Sequence, residues 1–318
     1  MGTANKKDDW LIRRADGTEV LQAARLAKLP WLAHGFSMRA GGASQLNGAR
    51  TLNLGFTTWD TRAGVEANRK NFLAALNGAG GRQARTRTFD LVTLRQVHSD
   101  VIHAIAEKPA AAPKGDAAIT RAPGLLLAVQ TADCLPILLV DAKRRAVAAV
   151  HAGWRGTLAR IAAKALGRMQ MEFGTRPADV IAAIGPGIGV CCYEVGHEVV
   201  QSIASQFTAA REWFAAPPRS GFQKYAPSFN DLATGVEPMP LKWLTMAPPG
   251  HEPAPPRMCL DLAAANRWQL LDAGLAAKNI IASELCTACR TDLLFSYRRE
   301  KGCTGRMMGA IGLRERQS

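Results

Sequence analysis

The chain of 318 residues lacks the features that mark membrane and secreted proteins. Its longest apolar stretches are shorter than the roughly 20 residues that a transmembrane helix needs, and residues 1–10 contain no apolar segment of the kind found in secretory signals. Seven cysteines, an odd number, argue against a disulfide framework and in favour of reduced thiols or metal binding. We therefore expect a cytoplasmic protein that does not bind membranes.

Several well-known catalytic motifs are also missing. The sequence contains no Walker loop, no Gly-x-Ser-x-Gly elbow, and no His-x-Glu with Pro-Cys-x-x-Cys, the zinc signature of base deaminases. Gly185, Gly187 and Gly189 suggest a dinucleotide-binding loop, but Val190 occupies the position of the last required glycine. The six histidines include no His-x-His pair, which makes a multicopper cluster difficult to build.

Acidic residues are few relative to basic ones, and the formal net charge is +14. The basic residues are scattered along the chain and are not interleaved with aromatic residues, as they would be in many nucleic-acid grooves. This distribution favours a solvated basic surface and a protein that binds no nucleic acid. A positive field of this kind also favours small substrates that carry phosphate.

Short apolar runs bounded by turn residues predict buried strands, and three of them, 125–130, 136–140 and 146–150, are expected in one central sheet. A further strand is predicted to begin at Leu32 and to run into the glycine-rich turn at Gly41 and Gly42, and others are predicted at 51–56, 88–97, 180–184, 280–282, 293–297 and 307–313. Helical spacing and capping residues predict helices over 61–77, 157–173, 198–207 and 261–273. Strands and helices do not alternate strictly, which indicates a mixed α/β (α+β) fold with a central mixed sheet.

The predicted domain organisation has three parts. Residues 1–29 form an N-terminal extension, either loose or folded as an edge hairpin, and residues 30–318 form a single layered catalytic domain. Within that domain, a proline-rich stretch of about 211–258 predicts an irregular surface insertion.

His98, Cys134 and His151 each lie at the end of an apolar run, where side chains of different strands can meet. They are too far apart in sequence for a zinc finger, but three such ligands leave a tetrahedral metal one open position, as in catalytic zinc sites. A thiolate with two imidazoles suits zinc, and also copper of the blue type if a distal methionine is available. The alternative interpretation is a buried thiol and two histidines with structural hydrogen bonds.

Arginines near glycine-rich turns or helix starts are candidates for anion binding. Arg39 lies beside two glycines, Arg155 lies two residues before the predicted helix at 157, and Arg298 and Arg299 follow a predicted strand. The alternative for each is an ordinary surface arginine on a basic protein.

The remaining cysteine patterns are less informative. Cys286-x-x-Cys289 has the spacing of a metal or redox pair, but no second such pair is visible in the sequence. We therefore interpret it as a pair without a partner and predict that both residues are dispensable for turnover. Adjacent Cys191 and Cys192 are interpreted as packing residues.

Nine motifs, read in chain order, resemble the YfiH-like family, also called the laccase-domain, polyphenol oxidase or FAMIN-type family. The resemblance covers residues 30–313 approximately. The motifs are Phe36-Ser-Met-Arg-Ala-Gly-Gly, Leu52-Asn-Leu-Gly, Gln96-Val-His-Ser, Thr131-Ala-Asp-Cys-Leu-Pro, His151-Ala-Gly-Trp-Arg-Gly-Thr, Ile184-Gly-Pro-Gly-Ile, Cys192-Tyr-Glu-Val-Gly, Leu260-Asp-Leu-Ala-Ala-Ala-Asn and Phe295-Ser-Tyr-Arg-Arg-Glu.

The resemblance implies a fold related to the CNF1-type cysteine hydrolases and a zinc ion held by His98, Cys134 and His151. It also implies phosphorolysis of adenosine, inosine, guanosine and methylthioadenosine, and deamination of adenosine. Some bacterial members are linked to fidelity in peptidoglycan-precursor synthesis. The sequence departs from the family pattern at Met38, where threonine is common, and in the length of the proline-rich insertion.

The resemblance thus implies an enzyme whose substrates are purine nucleosides and phosphate. Cys134, His151, Asp133 and Arg155 are its expected catalytic residues, with Asp133 as a proton carrier or as a residue that orients a ligand. Arg39, Asn53 and Gln96 are expected to bind the substrate. Two alternatives remain open: a cysteine hydrolase or amidase that uses Cys134 with His151 as base, and a copper-dependent polyphenol oxidase.

Overall fold

The computed structural model describes residues 9–77, 89–217, 229–233 and 257–315. The strands in this part of the chain are β1 (Trp10–Ala15), β2 (Thr18–Ala23), β3 (Leu32–Ser37), β4 (Ala40–Leu46), β5 (Ala49–Thr51), β6 (Asp90–Thr93), β7 (Ile102–Ala104), β8 (Ala117–Thr120), β9 (Leu125–Thr131), β10 (Leu135–Asp141), β11 (Ala146–Ala152), β12 (Val180–Ile184), β13 (Glu194–Gly196), β14 (Phe214–Ala215), β15 (Arg257–Leu260), β16 (Ile280–Ala282) and β17 (Met307–Leu313). The α-helices are α1 (Ala24–Ala27), α2 (Arg62–Asn77), α3 (Trp154–Leu158), α4 (Ile161–Phe173), α5 (His197–Ala204), α6 (Phe229–Ala233) and α7 (Leu262–Asp272).

Two six-stranded mixed sheets form the centre of the molecule. The first sheet has the order β1-β2-β3-β17-β9-β6, and the second has the order β16-β12-β10-β11-β8-β7. Most neighbouring strands are antiparallel, whereas β6–β9, β7–β8 and β12–β16 are parallel pairs. A three-stranded sheet, β13-β15-β14, and the hairpin β4-β5 complete the strand pairing of the described residues.

The two sheets pack face to face and each carries helices on its outer face. In β9, Leu127 and Val129 contribute to the core between the sheets, while Leu126 and Ala128 pack in the cluster that includes α2. On the other side, apolar residues of β10 and β11 form a core with α4, α5 and α7. Because both faces of the central strands are buried, their sequences are almost continuously apolar. The mixed α/β class predicted from the sequence is confirmed.

The prediction that 125–130, 136–140 and 146–150 share one sheet is wrong for the first run. β9 belongs to the first sheet, where it pairs with β17, whereas β10 and β11 pair in the second. The chain crosses between sheets at the turn around Asp133, whose backbone adopts a positive φ of 93°. The partner of β9 is nearly 180 residues away in sequence, roughly half the chain, so local patterning does not reveal it.

The helix predicted over 157–173 is in fact two helices, α3 and α4. Arg160, with a φ of 60°, separates the two helices. Because α3 begins at Trp154, Arg155 lies inside this helix and not before it. Predicted strands at 51–56 and 293–297 are also wrong: only Thr51 of the first belongs to a strand, and no residue of 293–297 does. The other helices and strands agree with their predicted positions to within a few residues, and the side chain of Asp261 caps α7 as expected.

The N-terminal region contains the edge hairpin that was one of the two alternatives. β1 and β2 pair around a turn in which Asp16 and Gly17 both have positive φ, and β2 continues the first sheet through β3. Most of the proline-rich stretch lies outside the described residues. No helix among those described is both long and apolar enough to cross a membrane.

Candidate metal centre

The structure brings His98, Cys134 and His151 together, the last two from the ends of strands and His98 from a bend beyond the end of β6. Cys134 immediately precedes β10, and the antiparallel pairing of β10 with β11 sets Pro136 opposite His151. The ligand atoms of the three side chains all lie within 4.8 Å of one another. The Sγ atom of Cys134 is 3.8 Å from Nε2 of His98, and the two imidazole rings meet edge to face with centroids 4.9 Å apart.

Asp116, which the sequence reasoning missed, supports both histidines. Its fully buried carboxylate accepts a hydrogen bond from Nδ1 of His151 at 2.8 Å and from the backbone N–H of His98 at 3.0 Å. The backbone N–H and hydroxyl of Ser99 donate to it at 2.7 Å each, and Val97 donates a longer bond. A carboxylate on the second nitrogen of a histidine is the usual partner of a metal-ligating imidazole. No local motif marks Asp116 in the sequence.

The electrostatics favour a thiolate and a charged imidazole in this group. Burial alone would raise the pKa of Cys134, but hydrogen bonds from His151 and His98 outweigh it and lower the pKa to about 6. Burial would lower the pKa of His151, yet its bonds to Asp116 and Cys134 raise it to about 9. Burial would raise the pKa of Asp116, but the hydrogen bonds from His151 and Ser99 outweigh it and hold this pKa well below its usual range.

The backbone around the three side chains is tightly constrained. His98 and Asp133 both have positive φ, 59° and 93°, a conformation that is uncommon for non-glycine residues. Gly153 approaches the group so closely that a Cβ there would lie 2.8 Å from Sγ of Cys134 and 3.1 Å from Cδ2 of His98. The glycine after His151 in the His-Ala-Gly motif is therefore required for the group to close.

The carboxylate of Asp133 is engaged with the neighbouring segment of the chain. Its Oδ1 accepts a hydrogen bond from the hydroxyl of Thr287, and its Oδ2 accepts one from the backbone N–H of Arg298, both at 2.6 Å. These bonds tie the turn that carries Cys134 to the segment 287–298. The predicted role of Asp133 as an orienting residue fits these contacts better than proton transfer does.

Two of the predicted anion-binding arginines have defined partners within the protein. Arg39 forms an ion pair with Glu300 at 2.7 Å, in which each side chain is 13% exposed, and its guanidinium lies 4.9 Å from the ring centroid of Phe295. Arg155 stacks on Trp154 at 4.5 Å. A phosphate at Arg39 would share the guanidinium with Glu300.

Asn53 and Gln96, the other predicted substrate-binding residues, hold the fold around the group. Asn53 is fully buried: its amide nitrogen donates to the side chain of Asp60, and its oxygen accepts from the backbone N–H of Arg306. Gln96 pairs with both backbone groups of Gln130 in β9, at 2.7 and 2.8 Å. Their substrate-binding roles stay predictions.

Tyr193 and Arg306 are further residues near the site that the sequence reasoning did not select. Burial raises the pKa of Tyr193, and the charge of Cys134 adds to this effect. Burial lowers the pKa of Arg306, whereas the charges of Tyr297, Asp133 and Cys134 oppose the change. Both side chains are therefore within electrostatic reach of Cys134. In the sequence, Arg306 looks like one more basic residue before a strand.

Comparison with known proteins agrees with these features. The sequence profile of the family described as "Multi-copper polyphenol oxidoreductase laccase" matches residues 33–236 and 242–314. The chain belongs to this family. The resemblance to YfiH-like proteins drawn from the motifs is thereby confirmed.

Individual relatives cover most of the chain. A protein of Deinococcus radiodurans named purine nucleoside phosphorylase is 37% identical over 309 residues, 95% of this chain and 96% of its own length. A protein from an unknown prokaryotic organism, named adenosine deaminase RL5, is 35% identical over 231 residues, 70% of this chain and 74% of its own. The crystal structure of Bacillus licheniformis hypothetical protein YfiH superposes with a TM-score of 0.74 at 30% identity, covering 95% of this chain and 99% of that one.

The donor set of the group fits a metal ion. Two imidazoles and a thiolate supply three ligands, and Asp116 fixes the second nitrogen of one histidine. Three protein ligands leave a fourth position for a small molecule, which is the arrangement of a catalytic and not of a structural site.

Proposed function

We propose that the protein is a zinc-dependent purine nucleoside phosphorylase that acts on adenosine, inosine, guanosine and methylthioadenosine, and that it also deaminates adenosine. The observation that carries the proposal is the convergence of His98, Cys134 and His151 on one point, supported by Asp116. Relatives of similar length that are named for these two activities support the choice of substrate. We further propose that residues 30–318 act as one catalytic domain.

Zinc is the proposed ion because the ligands and their support suit it. Catalytic zinc sites use three protein ligands, and both thiolate and imidazole ligands occur among them, so a thiolate with two imidazoles is a suitable set. Copper of the blue type would share these ligands but would also use a weak axial sulfur, and a multicopper centre needs more imidazoles than the two that the group offers. Metal analysis of the purified protein, with its visible spectrum, separates the two ions, since a blue copper protein is coloured.

Phosphorolysis requires that phosphate attack C1′ of the nucleoside while the bond from C1′ to the purine breaks. For adenosine, inosine and guanosine the products are ribose 1-phosphate and the free purine, which takes up a proton; methylthioadenosine gives the corresponding 5-methylthioribose 1-phosphate. When bound, zinc supplies Lewis acidity at its open position. Arg39 and Arg155 are proposed to hold the phosphate dianion, because a guanidinium presents two parallel donors to its oxygens. Asp133 and Asp116 keep the turn and the histidines in place around the substrate.

In deamination, water adds to C6 of adenosine and ammonia leaves, so the product is inosine. No dianion has to be held in this reaction. The two activities therefore share the group of His98, Cys134 and His151 but differ in their need for the arginines.

A cysteine hydrolase or amidase is the second candidate, with peptidoglycan-precursor editing as one possible task, and one geometric feature favours it. The carboxylate of Asp116 bonds to the imidazole of His151, which in turn bonds to the thiol of Cys134. This is the arrangement of a catalytic triad, and the pKa of the thiol is lowered. Alkylation distinguishes the two candidates. A thiolate bound to metal resists iodoacetamide until a chelator is added, whereas a free nucleophile reacts at once.

The main test is a chromatographic assay of inosine and adenosine with and without phosphate. We expect inosine to yield hypoxanthine and ribose 1-phosphate only when phosphate is present, and adenosine to yield inosine in both conditions. If the zinc-loaded protein turns over neither nucleoside, the phosphorylase proposal is wrong, and the cysteine hydrolase becomes the better candidate.

A further inference from the structure

Four cysteines that appear as two unrelated pairs in the sequence form one cluster in the structure. Cys191, Cys192, Cys286 and Cys289, here called the tetrathiol cluster, have Sγ atoms that all lie within 4.8 Å of one another. Sγ of Cys289 is 3.5 Å from that of Cys191 and 3.4 Å from that of Cys192. The interpretation of Cys286-x-x-Cys289 as a pair without a partner is therefore wrong, and Cys191 and Cys192 supply the second pair.

The parallel pairing of two strands causes this convergence. β12 and β16 run side by side in the same direction, with Ile184 opposite Ala282, so the loops that follow them leave the sheet at the same edge. Gly187 and Cys286 form an isolated bridge there, and the N–H of Thr287 donates to the carbonyl of Gly187 at 3.0 Å. The backbone alone thus holds the two loops against each other.

Within this arrangement, the sulfur atoms are directed to a common point. The carbonyl of Gly189 accepts the N–H groups of both Cys192 and Tyr193 at 3.0 Å, which closes a tight turn over the adjacent cysteines. The N–H of Gly189 donates to Sγ of Cys286 at 3.1 Å. Hydrogen bonds of this kind stabilise a thiolate and are frequent around metal-bound cysteine sulfurs.

The sulfur spacing matches a tetrahedral metal site. Zinc binds thiolate sulfur at about 2.3 Å, which places the sulfurs of a regular tetrahedron about 3.8 Å apart. The separations of 3.4 and 3.5 Å, and the limit of 4.8 Å for the other pairs, bracket this value. All four cysteines are free thiols in the structure.

Without a cation, thiolates at this distance oppose one another. A divalent cation at the centre would replace this repulsion by attraction, and the thiol protons would be released on binding.

We propose that the tetrathiol cluster is a second metal site, which binds one zinc ion through four cysteine thiolates. Four protein ligands close the coordination sphere, so the ion has a structural role and not a catalytic one. It fastens the loop 187–193 to the loop 286–290. Thr287 of the second loop donates to Asp133, the neighbour of Cys134, so the clamp also steadies one side of the first site.

The test is metal analysis of four proteins prepared under reducing conditions with zinc in the medium. We expect about two equivalents of zinc in the parent and in Cys303→Ser, which removes an exposed cysteine outside both groups. Cys286→Ser/Cys289→Ser should contain about one equivalent, and so should Cys134→Ala, which keeps the tetrathiol cluster. Two equivalents in the Cys286/Cys289 double variant would overturn the proposal, as would iron in place of zinc.

A second measurement on the parent protein does not depend on the folding of a variant. Iodoacetamide labelling followed by mass spectrometry should show Cys191, Cys192, Cys286 and Cys289 protected together with zinc and modified together after chelation, although Cys191 and Cys289 are exposed. A parent mass that is two or four hydrogens lower, without bound zinc, would reveal disulfides and contradict the proposal. The labelling of Cys134 is measured separately in the same experiment. Failure of the tetrathiol proposal can therefore be distinguished from failure of the proposed function.

Discussion

The His98–Cys134–His151 group and the tetrathiol cluster differ in ligands and support, although each has both an exposed and a buried member. The first mixes nitrogen and sulfur ligands and is held by the buried carboxylate of Asp116. The second consists of sulfur alone, lies on two loops, and receives a hydrogen bond from the backbone N–H of Gly189. Three ligands with a carboxylate support leave room for a substrate, whereas four sulfurs enclose an ion completely. The first group therefore has the geometry proposed for a catalytic metal site, and the second has the geometry proposed for a structural one.

The largest expected difference between the two sites comes from Cys134→Ala. The substitution removes the only sulfur ligand of the first group, so we expect loss of one equivalent of metal and a fall in nucleoside turnover of about 10³-fold, equal to about 4 kcal/mol of barrier. Metal in the tetrathiol cluster should remain. Turnover by Cys134→Ala within tenfold of the parent would show that the catalytic site lies elsewhere.

Arg39→Ala tests whether the first site holds a phosphate. Removal of the guanidinium should slow phosphorolysis by about 10²-fold, because a preorganised donor to developing or bound negative charge is lost. Deamination in the same preparation is the internal control and should change much less, since no dianion is bound. It also corrects for any loss of stability from leaving Glu300 without its partner. Equal losses of both activities would contradict the phosphate role.

Asp116→Asn, compared with Asp133→Asn, separates the carboxylate that supports the metal from the one that holds the turn. Asp116 accepts from His151 and from the backbone of His98, so its replacement should weaken zinc binding at the first group by about 10- to 100-fold. Asp133 bonds to Thr287 and Arg298 instead, and its replacement should change zinc affinity less. Competition with a chromogenic chelator measures both constants. The reverse order would assign the supporting role to Asp133.

Gly153→Ala tests how closely the first group must pack. A Cβ at this position would lie 2.8 Å from Sγ of Cys134, so we expect zinc affinity and turnover to fall by about tenfold, or about 1.4 kcal/mol. Gly167→Ala in α4 is the matched control, because a Cβ there meets nothing within 4 Å. It should preserve metal content and stabilise the helix by about 0.5–1 kcal/mol. Normal metal affinity in Gly153→Ala would mean that the group tolerates a shift of the Cys134 sulfur.

The two sites also differ in how far the sequence predicts them. His98, Cys134 and His151 end apolar runs in the sequence, and this local pattern is enough to select all three residues. The expectation that they meet at strand ends holds for Cys134 and His151, whereas His98 reaches the group from a bend beyond the end of β6. Asp116 is not selected by such a pattern, because its role depends on the pairing of β8 with β11 and on a backbone turn at His98. A lone aspartate after a glycine carries no signal of a buried network.

The tetrathiol cluster cannot be predicted from local sequence patterns, because it depends on the topology of the second sheet. Its two cysteine pairs are nearly 100 residues apart and meet because β12 and β16 are parallel neighbours, a pairing that no short motif encodes. The same limit explains why the sequence predicts β9 in the same sheet as β10, because the strand β17 with which β9 pairs lies near the C-terminal end of the chain. Elements and strand ends are local properties, whereas sheet membership is a property of the whole chain.

The smallest expected effect on catalysis comes from Cys286→Ser/Cys289→Ser. The sequence shows no partner pair for these cysteines and for that reason predicts that they are dispensable. In the structure they do have a partner pair, Cys191 and Cys192. A closed structural site nevertheless predicts the same kinetic result, because it presents no open position to a substrate. We expect turnover to fall by less than tenfold, while the melting temperature of the zinc-loaded protein falls and becomes insensitive to zinc at this site. Cys303→Ser controls for the loss of a thiol.

A loss of turnover of more than tenfold in that variant would contradict the division into a catalytic and a structural site. The hydrogen bond from Thr287 to Asp133 connects the tetrathiol cluster to the turn that carries Cys134, so it must then be measured whether kcat alone or also zinc affinity has fallen. If Cys134 still binds zinc with parental affinity while kcat falls, the clamp positions the turn for the substrate. If zinc affinity at Cys134 falls as well, the two sites form one cooperative unit, and Thr287→Val should reproduce the defect without removing a sulfur ligand.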